Sequence, residues 1–308
     1  MNPTAKRKRV PVHGVLLLDK PAGISSTQAL AKAKWLLNAE KAGHTGTLDP
    51  FATGLLPLCF GEATKFSSDL LDADKTYEAT IRLGITTTTG DTEGEVLERR
   101  DVNSSLAQIE AALEKFRGPI RQVPPMYSAL KRNGKPLYAY AREGVTLERE
   151  PREIVIYELE LLEFDAPMVR IRVRCSKGTY VRVLGEDIGK VLGCGAHLTQ
   201  LRRTHIAQLS VDDATVLKTM ESEPMRDLLT LLRPVDSLTS GLPSVQLTEA
   251  LFHRFMHGQR LALGKELPDH DIPKGRVRVL GKSGSFAGTA TVNDDDVLIP
   301  ERIVSLIT

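Results

Sequence analysis

The sequence predicts an α+β protein followed by a small all-β module. Three observations carry that expectation. Stretches of strict alternation and stretches of helical spacing both occur before residue 240, so strands and helices share one unit. From about residue 241 short strand candidates alternate with Gly- and Asp-rich turns. The chain has 308 residues, and at roughly 150 residues per domain that length suggests two units.

Taken in order, residues 1–11 hold Lys6-Arg7-Lys8-Arg9 and little apolar material, which reads as a flexible basic arm. Val15 to Leu18 is a short buried strand stopped by Lys20-Pro21-Ala22-Gly23. Ser25 or Ser26 caps a helix marked by Ala29, Leu30, Ala33, Leu36 and Leu37, running to about Asn38. Ala42 to Gly54 breaks both periodicities and reads as a loop. Tyr77 to Leu83 alternates as a strand. Ser104 or Ser105 caps a helix through Phe116, which Gly118-Pro119 ends. Residues 122–152 are rich in Pro, Tyr, Lys and Arg and read as a long excursion from the core, which in a compact domain is usually functional or disordered. Ile154 to Leu162 and Val169 to Cys175 are strands, the second presenting Arg170, Arg172 and Arg174 on one face. Leu184, Ile188, Val191 and Leu192 mark a helix stopped by Gly193. After a linker near Gly241-Leu242-Pro243, the strands 276–280, 286–291 and 297–300 form the C-terminal module.

Composition narrows the function classes. No run approaches the roughly 18 apolar residues of a membrane span, and Val15 to Leu18 is too short for a signal-peptide core. Cys59, Cys175 and Cys194 form no C-x-x-C pair. That argues against a disulfide scaffold and a zinc site, and a reducing cytoplasm fits best. The formal charge is only +2, yet it is unevenly spread. Residues 1–50 carry 8 basic and 3 acidic side chains, residues 120–152 carry 7 and 3, and residues 168–205 carry 8 and 2. Acidic segments lie between, and 153–167 holds five acids and no base. The basic blocks are expected to converge on one surface for a polyanion. The plainer alternative is a solvated, salt-bridged surface.

Several residues have the chemistry for a site. Asp49 stands in Gly43-His44-Thr45-Gly46-Thr47-Leu48-Asp49-Pro50, where glycines permit close approach and Pro50 stiffens the residue after the carboxylate. Such an Asp serves as nucleophile or base, or simply as a turn residue before Pro. His44 has the same ambiguity. Arg182, at the junction of Gly178-Thr179-Tyr180-Val181-Arg182, can pair with a carboxylate and keep it ionised. Tyr77 and Tyr180 can stack on bases or serve as core aromatics with one wet edge. These residues name no reaction by themselves.

The segments Leu18-Asp19-Lys20-Pro21-Ala22-Gly23-Ile24-Ser25-Ser26 and Gly43 through Gly54 are distinctive together. With Gly61-Glu62-Ala63-Thr64-Lys65, Lys75-Thr76-Tyr77, Pro125 through Lys131, Cys175 through Arg182 and Gly193 through Leu198 with Leu201-Arg202-Arg203, the chain closely resembles the bacterial TruB family of tRNA pseudouridine-55 synthases. The resemblance covers about residues 12–205. It implies a pseudouridine-synthase-type mixed, mainly antiparallel sheet flanked by helices over 12–240, and a PUA-like RNA-binding domain over 241–308. It implies isomerisation of a T-loop uridine of tRNA by base flipping, with no cofactor, no metal and no obligatory protein partner. A monomer is expected.

By the same resemblance, Asp49 is the nucleophile and Arg182 its partner, lowering its pKa. Tyr77 stacks on the target uracil and takes the C5 proton. Tyr180 and Leu201 line the pocket wall, Lys20 supports it, and His44 fills space in the opened tRNA loop. Residues 122–152 resemble an RNA-clamping insertion that offers Lys131, Arg132, Lys135 and Arg142 to phosphates. Two other readings stay open at this point: a T-arm-binding tRNA-folding chaperone, and, with less support because Asp49 has no paired carboxylate in its motif, an N-glycoside hydrolase.

Overall fold

The computed structural model describes residues 8–267 and 272–305. Its centre is a sheet whose main path runs Thr215–Val216, Gly14–Lys20, Thr53–Phe60, Ala196–Ile206, Lys75–Leu83, Met168–Cys175, Arg152–Asp165 and Gly118–Gln122. Ala42–His44 pairs with Thr53–Phe60, and Leu209–Ser210 pairs with Ala196–Ile206. Most pairs are antiparallel. Gly14–Lys20 with Thr215–Val216, and Ala196–Ile206 with Thr53–Phe60, are parallel. The sheet is therefore mixed and mainly antiparallel, as expected.

Local sequence explains the flanking helices. Ser25 caps Ser26–Leu36 and shares a capping box with Gln28, and Ser105 does the same with Gln108 for Leu106–Glu114. Each box satisfies two of the free N–H groups at a helix start. Asn38, with φ 51°, turns the chain after the first helix. Val181–Val191 ends two residues before Gly193, whose φ is 80°. These helices cover one face of the sheet. Ala29, Ala33, Ile109, Leu113, Leu184 and Ile188 share a continuous buried core with Ile81, Ile171 and Leu198 from the strands.

Two strands run through segments where alternation is absent. Thr53–Phe60 has buried residues on both faces and contains Pro57, so it shows neither a period of two nor a strand composition. Gly118–Gln122 begins with Gly-Pro, which the edge of a sheet tolerates. The loop read over 42–54 is accordingly shorter. Ala42–His44 is a strand, residues 45–52 are the connection, and Thr53 already belongs to the next strand.

The C-terminal segment builds its own five-stranded sheet, ordered Ser244–Gln246, Gly275–Leu280, Phe286–Val292, Val297–Ile303 and Leu261–Ala262. It is not purely strand. The helix Glu249–Met256, capped by Thr248, buries Leu251 and Phe255 against this sheet. Of the expected basic arm, residues 1–7 lie outside the described residues. Residues 8–10 lie against the end of the first helix. There the Val10 N–H donates to the Asn38 carbonyl at 2.9 Å and the Asn38 amide donates to the Lys8 carbonyl at 2.7 Å.

The expected positive face of Met168–Cys175 is not free. Arg170, Arg172 and Arg174 stand opposite Glu163, Glu160 and Glu158 of the neighbouring strand. Glu78 on the other side also takes Arg170 at 2.9 Å and Arg172 at 3.1 Å. The acidic block 153–167 and the start of the basic block 168–205 therefore neutralise each other across one ladder. Here the salt-bridged alternative holds, because antiparallel pairing sets the two blocks side by side.

Candidate active site

The site forms where Thr53–Phe60 enters the sheet beside Ala196–Ile206. Gly54 makes that approach possible. Its φ is 104°, and a Cβ there would lie 2.3 Å from the Arg203 carbonyl oxygen. Ala196–Ile206 also shifts register between Leu198 and Gln200 and between Arg203 and His205. Such irregularities re-aim side chains, and they cluster beside active sites.

The connection 45–52 is held from below by the first helix and the first strand. Ser26 Oγ accepts from the Leu48 N–H at 2.8 Å and donates to the Leu48 carbonyl at 3.1 Å. Lys20 is fully buried, and its Nζ donates to the carbonyls of Pro21, Ile24 and Pro50 at 2.8, 2.7 and 3.2 Å. Burial pulls its pKa down to about 8, against the pull of Asp49 and Glu93. Lys20 thus clamps the Pro21–Ile24 turn to the residue after Asp49.

Asp49 meets Arg182 in the first turn of Val181–Val191. Arg182 Nε lies 2.9 Å from Asp49 Oδ2. The guanidinium is buried and otherwise committed. It donates to the carbonyls of Thr89 at 2.8 Å and Tyr127 at 2.7 Å, and lies 3.5 Å from Asp91 Oδ2. Asp91 is itself buried and accepts from Thr89 Oγ1 and from the Glu93 N–H. Burial raises the pKa of Asp49; Arg182 pulls it back and Asp91 pushes it further up. The expected direction for Arg182 holds, but burial outweighs it, so the net shift is upward.

Asp49, Tyr77, Tyr180, Arg182 and Leu201 line one cavity of about 220 Å³. Lys75, Ser128, Cys175 and Arg203 share its wall. A larger groove of about 660 Å³ lies on the other side of Leu201, between Phe51, Glu78, Arg170 and Arg202. Lys20 and His44 are not among the residues lining the cavity. Lys20 acts through the Pro50 carbonyl. His44 ends the strand that leads into the Asp49 loop, its buried Nδ1 without a hydrogen-bond partner. Burial, with a smaller push from Arg203, lowers the His44 pKa.

Three contributors were not legible as site residues. Arg203 is buried beneath the cavity. It donates to the carbonyls of Leu55 at 2.8 Å and Gly46 at 3.4 Å, and its charge acts on the Tyr77 side chain. Burial raises the Tyr77 pKa and Arg203 draws it down. Asp91 sits in the polar run Thr87-Thr88-Thr89-Gly90-Asp91, whose only signal was a glycine amid threonines. Gln122 holds Tyr180 in place by accepting from its N–H at 3.1 Å. Among the described residues no group of three or more His, Cys, Asp or Glu side chains is arranged to hold a metal ion, and no helix is long and apolar enough to cross a membrane.

Known proteins similar to this chain are numerous. The sequence model of the TruB family pseudouridylate synthase N-terminal domain matches residues 34–181. The tRNA pseudouridylate synthase B C-terminal domain matches 182–240, and the pseudouridine synthase II TruB C-terminal model matches 243–304. A tRNA pseudouridine synthase B of Burkholderia mallei (strain ATCC 23344) is 56% identical over 305 residues, covering 99% of this chain and 98% of that protein. One from Ralstonia pickettii (strain 12J) is 54% identical over 312 residues, covering 98% and 97%. Among solved structures, a chain of a Cbf5-Nop10-Gar1 complex superposes with a TM-score of 0.70 at 27% identity, covering 94% of this chain and 84% of that one. The cavity holding Asp49, Arg182 and Tyr77 therefore sits in a chain that belongs to the TruB family, and the protein is a tRNA pseudouridine synthase, an isomerase.

Proposed function

We propose that the substrate is the T-loop uridine at position 55 of tRNA and that Asp49 is the nucleophile. The single observation that carries this reading is the Arg182–Asp49 pair at 2.9 Å, opening on a cavity that Tyr77, Tyr180 and Leu201 complete. In the net reaction the C1′–N1 bond breaks, a C1′–C5 bond forms, C5 loses a proton and N1 gains one. No electron is transferred and no water is added.

A stacked base cannot reach such a cavity, so the uridine has to be flipped, at a cost of a few kcal/mol. Stacking on Tyr77 offsets that cost, and His44 fills space the loop leaves. Once the glycosidic bond is cut, the uracil has to be retained while it turns. The cavity walls serve that need. Arg182 stabilises the Asp49 carboxylate for attack. Attack at C6, attack at C1′ and a glycal route all use the same carboxylate. On this reading Tyr77 takes the C5 proton, and the charge of Arg203 works toward the phenolate that this requires, against burial.

On this reading residues 12–240 form the catalytic domain and 241–308 a PUA-like RNA-binding domain. Residues 122–152 clamp the T arm, and Lys131, Arg132 and Arg142 stand on that insertion, all three exposed. Lys135 is already paired with Glu143.

The test is conversion of an unmodified tRNA transcript by the wild type and by Asp49→Asn, read by pseudouridine-specific chemistry. The wild type should modify the T-loop uridine, and the variant should bind tRNA yet form no product above background. Product at another position refutes the substrate assignment. Full activity of the variant refutes the role of Asp49.

A further inference from the structure

We propose that the outer face of the helix Ser26–Leu36, centred on Trp35, is a second contact for the substrate tRNA, where an unpaired base outside the T arm stacks. The proposal rests on the reading that the T loop enters the Asp49 cavity.

The helix buries Ser26, Ala29 and Ala33 toward the core, so Gln28, Ala31, Lys32 and Trp35 fall on the opposite face. Trp35 is 62% exposed. It is the only tryptophan in the chain, and a large aromatic left this open is not explained by the helix, whose stability comes from its inner face. Its surroundings are basic. Lys8, Arg9, Lys32 and Lys41 are exposed around the same helix and the turn that follows it, and Lys34 is half-buried. Arg9 is fixed there by a hydrogen bond to the Lys34 carbonyl at 3.1 Å. The acids nearby are Glu221, which pairs with Lys32, and Glu40.

A helix C-terminus favours cations, which accounts for Arg9 and Lys34. It does not account for an exposed indole between them. An aromatic face ringed by cations is the combination that holds single-stranded nucleic acid, the ring taking a base and the cations the adjoining phosphates. The basic residues Lys8 and Arg9, which the cavity does not use, thereby acquire a role.

The helix also connects this face to the cavity. Ser26 grips Leu48, next to Asp49. At 1.5 Å per residue Trp35 lies about 14 Å further along the axis, within reach of a tRNA seated in the cavity. The T-loop uridine is committed to the cavity and the T-stem bases are paired, which leaves the other T-loop bases and the unpaired bases outside the T arm; the latter are the partner proposed, and the hairpin separates the two.

Trp35 is its own reporter. The wild-type chain is titrated with full-length unmodified tRNA and, separately, with a T-arm hairpin, while pseudouridine formation is followed on both. Full-length tRNA should quench or shift the tryptophan emission, and the hairpin should not. Trp35→Ala should raise KM for full-length tRNA on the order of tenfold, the loss of one base–aromatic stack, with kcat retained. Trp35→Phe should recover most of that loss. Unchanged emission at tRNA concentrations that saturate turnover overturns the proposal. An equal response to the hairpin overturns the assignment outside the T arm. Emission that follows protein concentration without RNA overturns it in favour of a second copy of the chain. Failure to convert either RNA refutes instead the function on which the proposal rests.

Discussion

Asp49 has to be ionised to act as a nucleophile, yet its surroundings penalise the ionised form. Burial and the neighbouring Asp91 raise its pKa, and Arg182 recovers part of the loss. The consequence for stability has a definite sign. Because the folded pKa exceeds the unfolded one, the native state holds the proton more tightly. Stability contributed by that proton is present at low pH and is lost as pH rises through the raised value. Near neutral pH the carboxylate is therefore a net cost to the fold. Asp49→Asn removes that cost while Arg182 keeps Asp91 and the Thr89 and Tyr127 carbonyls. The variant should unfold no lower than the wild type at pH 7.5, and any advantage should shrink toward pH 4. Thermal unfolding across that range checks it. A variant less stable than the wild type at pH 7.5 means that the Arg182 pair outweighs burial.

At the scale of elements, the ladder of Met168–Cys175 and the insertion 122–152 carry similar charge but differ in availability. Arg170, Arg172 and Arg174 are answered by Glu78, Glu158, Glu160 and Glu163. Exposed pairs of this kind add little stability, but they leave little net charge for phosphates. Lys131 and Arg132 lie at the tip of a short hairpin, where their strand faces Lys135 and Pro136 and no carboxylate stands opposite. Replacing Lys131 and Arg132 together by Gln should weaken tRNA binding and reduce the slope of log affinity against log salt by about 2, one for each phosphate no longer neutralised. Arg172→Gln should change that slope by much less. Equal effects would mean that the ladder opens to bind RNA. The contrast also marks what the chain disclosed in advance. Alternation identified Lys75–Leu83 and Met168–Cys175, and serines identified the helix caps, because those signals are local. Pairing partners are not local, so the neutralised face was hidden. Thr53–Phe60, buried on both sides, had no pattern to read. Asp49, Tyr77, Tyr180, Arg182 and Leu201 were legible through motifs, whereas Arg203 and Asp91 act from beneath and beside the cavity, where only the fold brings them together with it.

At the scale of the whole molecule, the C-terminal unit is joined to the unit of the large sheet mainly through the segment Gly61–Leu70. Arg276 reaches Asp69 at 2.9 Å while also holding Glu301 at 2.7 Å. Lys65 Nζ donates to the Ile303 carbonyl at 2.7 Å, and Glu62 accepts from the Ser305 N–H at 2.6 Å. Phe66 packs on Phe286 with ring centroids 5.4 Å apart, and Val304 is buried in the same cluster as Val15, Leu55 and Phe66. Arg278 adds an ion pair with Asp236, just before the linker. The segment Gly61–Leu70 continues directly into the cavity wall. Lys75 Nζ donates to the carbonyls of Leu70, Leu71 and Ala73, and Leu71 and Lys75 both line the cavity. A seam with apolar packing and ion pairs should make the two units unfold together. Arg276→Glu attacks it selectively, because it sets a third carboxylate against Asp69 and Glu301 at a site where Asp69 is nearly buried. A cost of about 1–3 kcal/mol is expected. Scanning calorimetry should show one transition for the wild type and two for the variant, the C-terminal unit melting first. The variant should also lose turnover on a T-arm hairpin that is too short to need the C-terminal unit, because its defect travels through Gly61–Leu70 to Lys75. A single transition in the variant, with unchanged turnover on the hairpin, would show that the two units are merely tethered and that the cavity wall stands without the seam.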